Sequence, residues 1–180
     1  MTKKIIFSGG GTGGHIFPAV NLMKHFLDKE YKVLLVTDNR GNNFVKSYSE
    51  FKSYILSART PTNKNLFKKF FSYFLIFYSV IRSIIILKKE KPDLIFGFGG
   101  YVSFPISFAS RFFNLPLIIY ENNMILGRTN KHLSSLSKKI LLLFFYFQLN
   151  YNINIYIKKR KTRFIFWIWR LCIFSYFFCI

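Results

Sequence analysis

The sequence predicts an α/β fold, a parallel sheet with helices packed on its faces, and three observations predict it. Short apolar runs of strand length alternate with longer segments of helical apolar spacing from residue 3 to residue 136. Two of the runs end in glycine-rich turns that lead directly into helix starts, Ser8-Gly9-Gly10-Gly11-Thr12-Gly13-Gly14-His15 and Gly97-Phe98-Gly99-Gly100-Tyr101. A third ends in Glu121-Asn122-Asn123. Parallel strands put their carboxyl ends at one edge, so these three loops are expected to converge there.

In chain order, Ile5-Ile6-Phe7 is the first strand, and the glycines after it form a strand-to-helix turn. Such a turn exposes backbone N–H groups at a helix N-terminus, and its natural ligand is a phosphate or diphosphate. Gly9, Gly11 and Gly14 also satisfy G-x-G-x-x-G, which keeps a dinucleotide-binding domain open as a reading. His15 adds a titratable imidazole at the mouth of the anion site, for which a plain dinucleotide fingerprint has no need. Pro18 reads as the first turn of the following helix, and Ile16, Ala19, Val20, Met23, Phe26 and Leu27 form its apolar stripe.

Residues 31 to 38 are the second strand, with Asp38 at its end either as a ribose ligand or as a cap. Residues 43 to 52 read as helix, 54 to 56 as a third strand, and 58 to 65 as a polar loop containing Pro61. Residues 66 to 89 are then apolar all round, bracketed by Lys68 and Lys69 on one side and Lys88 and Lys89 on the other. Their length approaches the roughly 20 residues of a membrane span, but Arg82 and three serines interrupt them, and a span would split the sheet. The expectation is a crossover helix whose N-terminal half, with Phe70, Phe71 and Phe74, stays partly exposed and seats with the flanking lysines on anionic lipid.

Lys91-Pro92-Asp93 ends that helix, residues 94 to 96 form a fourth strand, and Ser103 and Pro105 are placed as cap and first turn of the next helix. That helix runs over residues 106 to 113 and is closed by Asn114. Residues 116 to 120 are the fifth strand, and a helix over residues 129 to 136 follows Gly127. The amides after the fifth strand can bind sugar hydroxyls, orient His15, or merely cap their loop.

Composition narrows the partners. The 180 residues carry 27 basic and 7 acidic side chains, a formal charge of +20, together with 24 Phe and 11 Tyr. Aromatic and aliphatic residues among lysines favour a membrane surface, and no nucleic-acid-binding motif accompanies the charge. The two cysteines, Cys172 and Cys179, have neither metal-ligand nor disulfide-framework spacing. The three-residue apolar run after Lys4 is too short for the core of a signal peptide, so the chain is expected to stay in the cytoplasm.

The loops GGGTGGHIFPA, GFGGYVSFP and ENNMILGRTNK, in this order and spacing, closely resemble the N-terminal domain of the MurG family of peptidoglycan glycosyltransferases. The resemblance covers residues 3 to 144 and implies a Rossmann-like domain, the N-terminal half of a GT-B fold. It implies transfer of N-acetylglucosamine from UDP-N-acetylglucosamine to lipid-linked muramoyl-pentapeptide, inverting and with no bound metal or other cofactor. Carried onto this chain, it places Thr12, Gly13 and Gly14 beside the donor and diphosphate, His15 as the candidate base, and Gly99, Gly100 and Tyr101 in the second loop. The family's EQN reads Glu121-Asn122-Asn123 here, so Asn123 falls on the donor-contacting amide and Asn122 replaces a glutamine. The family's basic-rimmed apolar patch, which sits peripherally on the cytoplasmic face of the bacterial inner membrane, corresponds to residues 66 to 89.

Residues 145 to 180 contain no Gly, Pro, Asp or Glu, yet hold both Trp and both Cys. The expectation is two parts: an acceptor-side domain over residues 1 to 144 and an aberrant basic-aromatic tail over residues 145 to 180, produced by a reading-frame disruption or truncation. An evolved membrane tail is the alternative. With the family's second, donor-side domain unrecognisable, the chain alone is expected to lack turnover. The rival functions are a noncatalytic membrane-surface module and a dinucleotide-binding domain.

Overall fold

The computed structural model describes residues 2–46, 50–57, 66–123 and 125–142. The expected loop over residues 58 to 65 and the tail over residues 145 to 180 lie outside the described residues. Six parallel strands form one sheet in the order β3-β2-β1-β4-β5-β6. They are β1 (Lys4–Ser8), β2 (Lys32–Thr37), β3 (Lys52–Ile55), β4 (Leu94–Gly97), β5 (Leu117–Glu121) and β6 (Lys139–Leu142). The intervening helices are α1 (Gly13–Leu27), α2 (Asn39–Val45), α3 (Leu66–Glu90), α4 (Ser103–Ala109, continued by a 3-10 turn over Ser110–Phe113) and α5 (Arg128–Leu133).

The alternation of side chains along the strands divides the core. From β1, Ile5 and Phe7 face one layer, where they meet Ile16, Val20 and Met23 of α1. Phe7 stacks on Phe96 there with ring centroids 5.3 Å apart. Ile6 faces the opposite layer with Leu34, Ile95 and Ile119 of neighbouring strands, Leu87 of α3 and Ile106 of α4. Both faces of the central strands are therefore apolar, as a parallel sheet with helices on both sides requires.

Several boundaries differ from the sequence reading. The helix α1 begins at Gly13, so Pro18 stands at its sixth position rather than in its first turn. The helix expected over residues 43 to 52 is α2, starting at Asn39, because the Asp38 carboxylate caps it by accepting the Gly41 N–H at 2.7 Å. Ser103 does not cap α4; it is the first helical residue, and its hydroxyl donates to the Gly100 carbonyl at 2.9 Å. Asn114 closes its helix in the left-handed conformation, φ 51°, as expected. β6 had no counterpart in the sequence reading.

α3 packs with its polarity inverted. Ser72, Ser79 and Ser83 are buried, while Phe67 and Phe70 are 79% and 74% exposed and Phe74 and Phe77 stand out beside them. The buried hydroxyls are all satisfied by main-chain carbonyls: Ser72 by Lys68, Ser79 by Ser57 and Ser83 by Ser79. The apolar contacts that hold α3 to the sheet come from its C-terminal end, through Ile86 and Leu87. There Glu90, 7% exposed, takes Lys52 at 2.7 Å, Lys4 at 3.0 Å and the Tyr54 hydroxyl. The hydrogen bonds from Lys52 and Tyr54, with the Lys4 ammonium behind them, hold its carboxyl at about 2.

Candidate active site at the switch point of the sheet

Chain order along the sheet reverses between β1 and β4, and it is beyond the carboxyl ends of these strands that such sheets open a ligand crevice. The two glycine loops are the continuations of β1 and β4, so the topology sets them face to face. Their contact is close. A Cβ on Gly100, whose φ is +77°, would lie 2.7 Å from the carbonyl oxygen of Gly10, and one on Gly99, at φ +90°, would lie 2.9 Å from His15 Nε2. Only glycine combines those backbone angles with that spacing.

His15 is the third residue of α1 and points from the first loop toward the second. Its Nδ1 lies 3.1 Å from the hydroxyl of Thr12, which leaves Nε2 beside Gly99. Burial lowers its pKa from the ordinary histidine value, against the opposing pull of the Glu121 and Asp38 carboxylates.

The third loop is tied to the first by a proline. An α-helix would pair the Gly14 carbonyl with the N–H of residue 18, but Pro18 has none. The freed carbonyl accepts from Asn122 Nδ2 at 3.1 Å, and the Tyr120 hydroxyl donates to Asn122 Oδ1 at 3.0 Å. The residue that replaces the family's glutamine is therefore a brace between two loops. Glu121, buried, organises its own loop: Oε1 accepts from the backbone and side-chain N–H of Asn123, and Oε2 from Gly127 N at 2.8 Å and Asn130 Nδ2 at 3.0 Å. The Asn123 amide thus donates inward, to Glu121. Asn130 and Glu121 are site residues that the sequence reading did not assign; their buried polar character is visible only once the loop is folded.

Asp38 serves as a cap and as a link, since Oδ1 accepts the Gly11 N–H at 3.2 Å as well as that of Gly41. A cleft of about 760 Å³ opens beside it. It is lined by Gly10, Gly11, Thr12, His15, Gly100 and Tyr101 from the glycine loops and by Arg40, Leu56, Phe71 and Leu75. Gly13, Gly14 and Asn123 lie outside that lining, and Lys68, Lys69, Phe70, Phe74, Lys88 and Lys89 are on the outer surface of α3.

Known proteins share this fold. The family model of the glycosyltransferase family 28 N-terminal domain matches residues 5–142. A UDP-N-acetylglucosamine–N-acetylmuramyl-(pentapeptide) pyrophosphoryl-undecaprenol N-acetylglucosamine transferase of Pelagibacter ubique is 36% identical over 140 residues, 78% of this chain and 38% of the relative. Its namesake from a Wolbachia of Drosophila simulans is 40% identical over the same shares. The crystal structure of MurG from Acinetobacter baumannii superposes with a TM-score of 0.70 at 26% identity, covering 83% of this chain and 43% of that one. The chain thus spans about two fifths of the length of the curated relatives it matches. Through residues 5–142 the chain belongs to glycosyltransferase family 28.

Proposed function

We propose that this chain is the acceptor-side half of an inverting N-acetylglucosaminyltransferase, which moves the sugar from UDP-N-acetylglucosamine to a lipid-linked muramoyl-pentapeptide in peptidoglycan synthesis. The observation that carries the reading is the meeting of two glycine loops around His15 at the switch point of the sheet. Backbone N–H groups there suit a diphosphate, and the imidazole suits the proton of an attacking hydroxyl. For Nε2 to take that proton, Nδ1 must carry hydrogen and donate it to Thr12, and burial keeps the ring neutral and able to accept. Thr12, Gly13, Gly14, Gly99, Gly100, Tyr101 and Asn123 complete the substrate contacts in this reading. No cofactor or metal enters it.

The exposed aromatic face of α3 supports the second half of the proposal: peripheral attachment to the cytoplasmic face of the bacterial inner membrane. Lys68, Lys69, Lys88 and Lys89 flank Phe70, Phe71 and Phe74 on the exposed side of this helix. Each lysine near an anionic surface contributes about 1 kcal/mol. The helix is also long and apolar enough to cross a membrane, with a mean hydropathy of 2.0 over 18 residues. Its place between β3 and β4 of one sheet favours surface attachment.

Two assays test the proposal. Flotation of the full chain with anionic vesicles should show binding that weakens with salt; binding indifferent to salt and resistant to carbonate refutes peripheral attachment. Radiolabelled transfer from UDP-N-acetylglucosamine to the lipid acceptor should require addition of a donor-side domain from a relative. Product from this chain alone refutes the half-enzyme reading, and absence of product with the added domain refutes the transferase reading. The dinucleotide alternative predicts binding of NAD or NADP, which a fluorescence titration would detect.

A further inference from the structure

The three loops of the site are joined behind the cleft through one buried side chain. Tyr120, the fourth residue of β5, is 4% exposed. Its ring lies 4.9 Å, centroid to centroid, from that of Phe98, the residue before Gly99 in the second loop. Phe98 is itself buried against the first loop: its N–H donates to the Ser8 carbonyl at 2.7 Å, and a Cβ on Gly9 would lie 3.1 Å from the Phe98 Cβ. The Tyr120 hydroxyl reaches the other way, to Asn122 Oδ1 at 3.0 Å.

Both directions end at His15. The peptide plane between Gly14 and His15 is held on its N–H side by the Thr12 carbonyl at 3.1 Å, and on its carbonyl side by Asn122 Nδ2 at 3.1 Å. A carbonyl can take only the NH₂ end of an amide, which turns Asn122 Oδ1 toward Tyr120 and leaves it needing a donor. Asn122 is half-buried, so water competes for both of its bonds, and the buried phenol pins the far end of the amide. On the opposite side of the imidazole, Nε2 faces Gly99, the residue next to Phe98.

We propose that Tyr120 is a positioning residue for His15, with two separable arms. The hydroxyl acts through Asn122 on the Gly14–His15 peptide, and the ring acts through Phe98 on the turn that faces Nε2. Tyr120 does not line the cleft, so its influence on a reaction there passes through these neighbours. The inference rests on the reading of His15 as the proton acceptor, and it is tested on the imidazole itself so that the two can fail separately. A displacement of about 1 Å in a positioned group can cost about 10²-fold in rate, and loss of one half-exposed hydrogen bond should displace less and cost about tenfold.

The test is nitrogen-15 NMR of the full chain, histidine-labelled and held in nonionic micelles. In the parent, neutral His15 should be a single tautomer with hydrogen on Nδ1, the form that donates to Thr12. Tyr120→Phe keeps the ring and loses the hydroxyl, and should give a mixture of tautomers, as should Asn122→Ala. The double variant should match Asn122→Ala alone, because the hydroxyl acts through that amide. Tyr54→Phe, which removes a hydroxyl from Glu90 instead, should leave the tautomer unchanged and so separates positioning from general loss of stability. For the ring arm, Tyr120→Leu and Phe98→Leu should each move the Gly99 and Gly100 amide resonances, and Tyr120→Phe should not. With a donor-side domain added, Tyr120→Phe should lower kcat about tenfold at nearly constant KM. A single tautomer in Tyr120→Phe, additive losses in the double variant, or glycine resonances unmoved by both leucine variants would overturn the inference and leave the role of His15 standing. A parent ring with its hydrogen on Nε2 would overturn both.

Discussion

Acid should loosen the attachment of α3 through one carboxylate, Glu90. Its pKa falls from 4.5 to about 2 on folding, a difference of about 2.5 pH units. At 1.36 kcal/mol per unit this sets an upper bound of about 3 kcal/mol. One of its two lysine partners, Lys52, is 55% exposed, and screening there brings the expected contribution down to about 1–2 kcal/mol. The sign follows from the depressed value: the contribution is complete above pH 4.5, declines as the unfolded chain gains its proton, and is gone below about pH 2. Glu90→Gln removes the charge, so the variant should be less stable than the parent at pH 7, by about 2–6 °C in melting temperature. That gap should shrink by more than half between pH 6 and pH 3. Paired thermal melts by circular dichroism across this range measure it, and a gap that stays constant from pH 6 to pH 3 would refute the linkage.

Four further outcomes concern the site. The His15 imidazole should titrate below 6.5 in a two-dimensional NMR titration; since its folded pKa is depressed, it adds stability above 6.5 that is lost as pH falls, and a value above 6.5 would mean that the Glu121 and Asp38 carboxylates outweigh desolvation. Gly99→Ala places a methyl 2.9 Å from His15 Nε2 at a φ of +90° and should cost about 1–3 kcal/mol while displacing the His15 resonances; unshifted resonances would mean that the loops are not in contact. Asn122→Ala leaves the Gly14 carbonyl without its amide and should weaken inorganic diphosphate binding several-fold with little change in melting temperature; a large loss of stability with unchanged binding would make Asn122 merely structural. His15→Ala, in an assay supplemented with a donor-side domain, should lower kcat about 10²–10⁴-fold; a change confined to KM would reassign His15 to binding.

The sheet and both glycine loops were legible because their physics leaves few choices of residue. Gly99 and Gly100 need positive φ and a bare Cα, and apolar runs such as Ile5-Ile6-Phe7 need burial on both faces. What escaped detection was decided by caps and pairings that apolar periodicity does not show. Asn39, Asn42 and Asn43 are poor helix formers, so α2 was placed too late; the Asp38 cap starts it earlier. β6 is four residues ahead of a continuous apolar stretch with no turn residue to bound it, and pairing with β5 is what defines it. The role of Asn122 depends on an N–H that Pro18 lacks 104 positions away.

The burial pattern of α3 makes the helix a cantilever. Its last turns are clamped by Ile86, Leu87 and the Glu90 ion pairs, whereas among its first nine residues only Ser72 is buried, and that hydroxyl is satisfied within the helix itself. Free energy to resist deflection is therefore concentrated at one end. The load falls at the other, where Phe67, Phe70 and Phe74 would engage a bilayer. Phe71 and Leu75, which line the cleft, belong to the less buried part of the helix. Pressure on the outer stripe would reach the cleft through these two residues, so amides of the first two turns should exchange with deuterium much faster than those around Ile86 in detergent, and the difference should narrow on anionic vesicles.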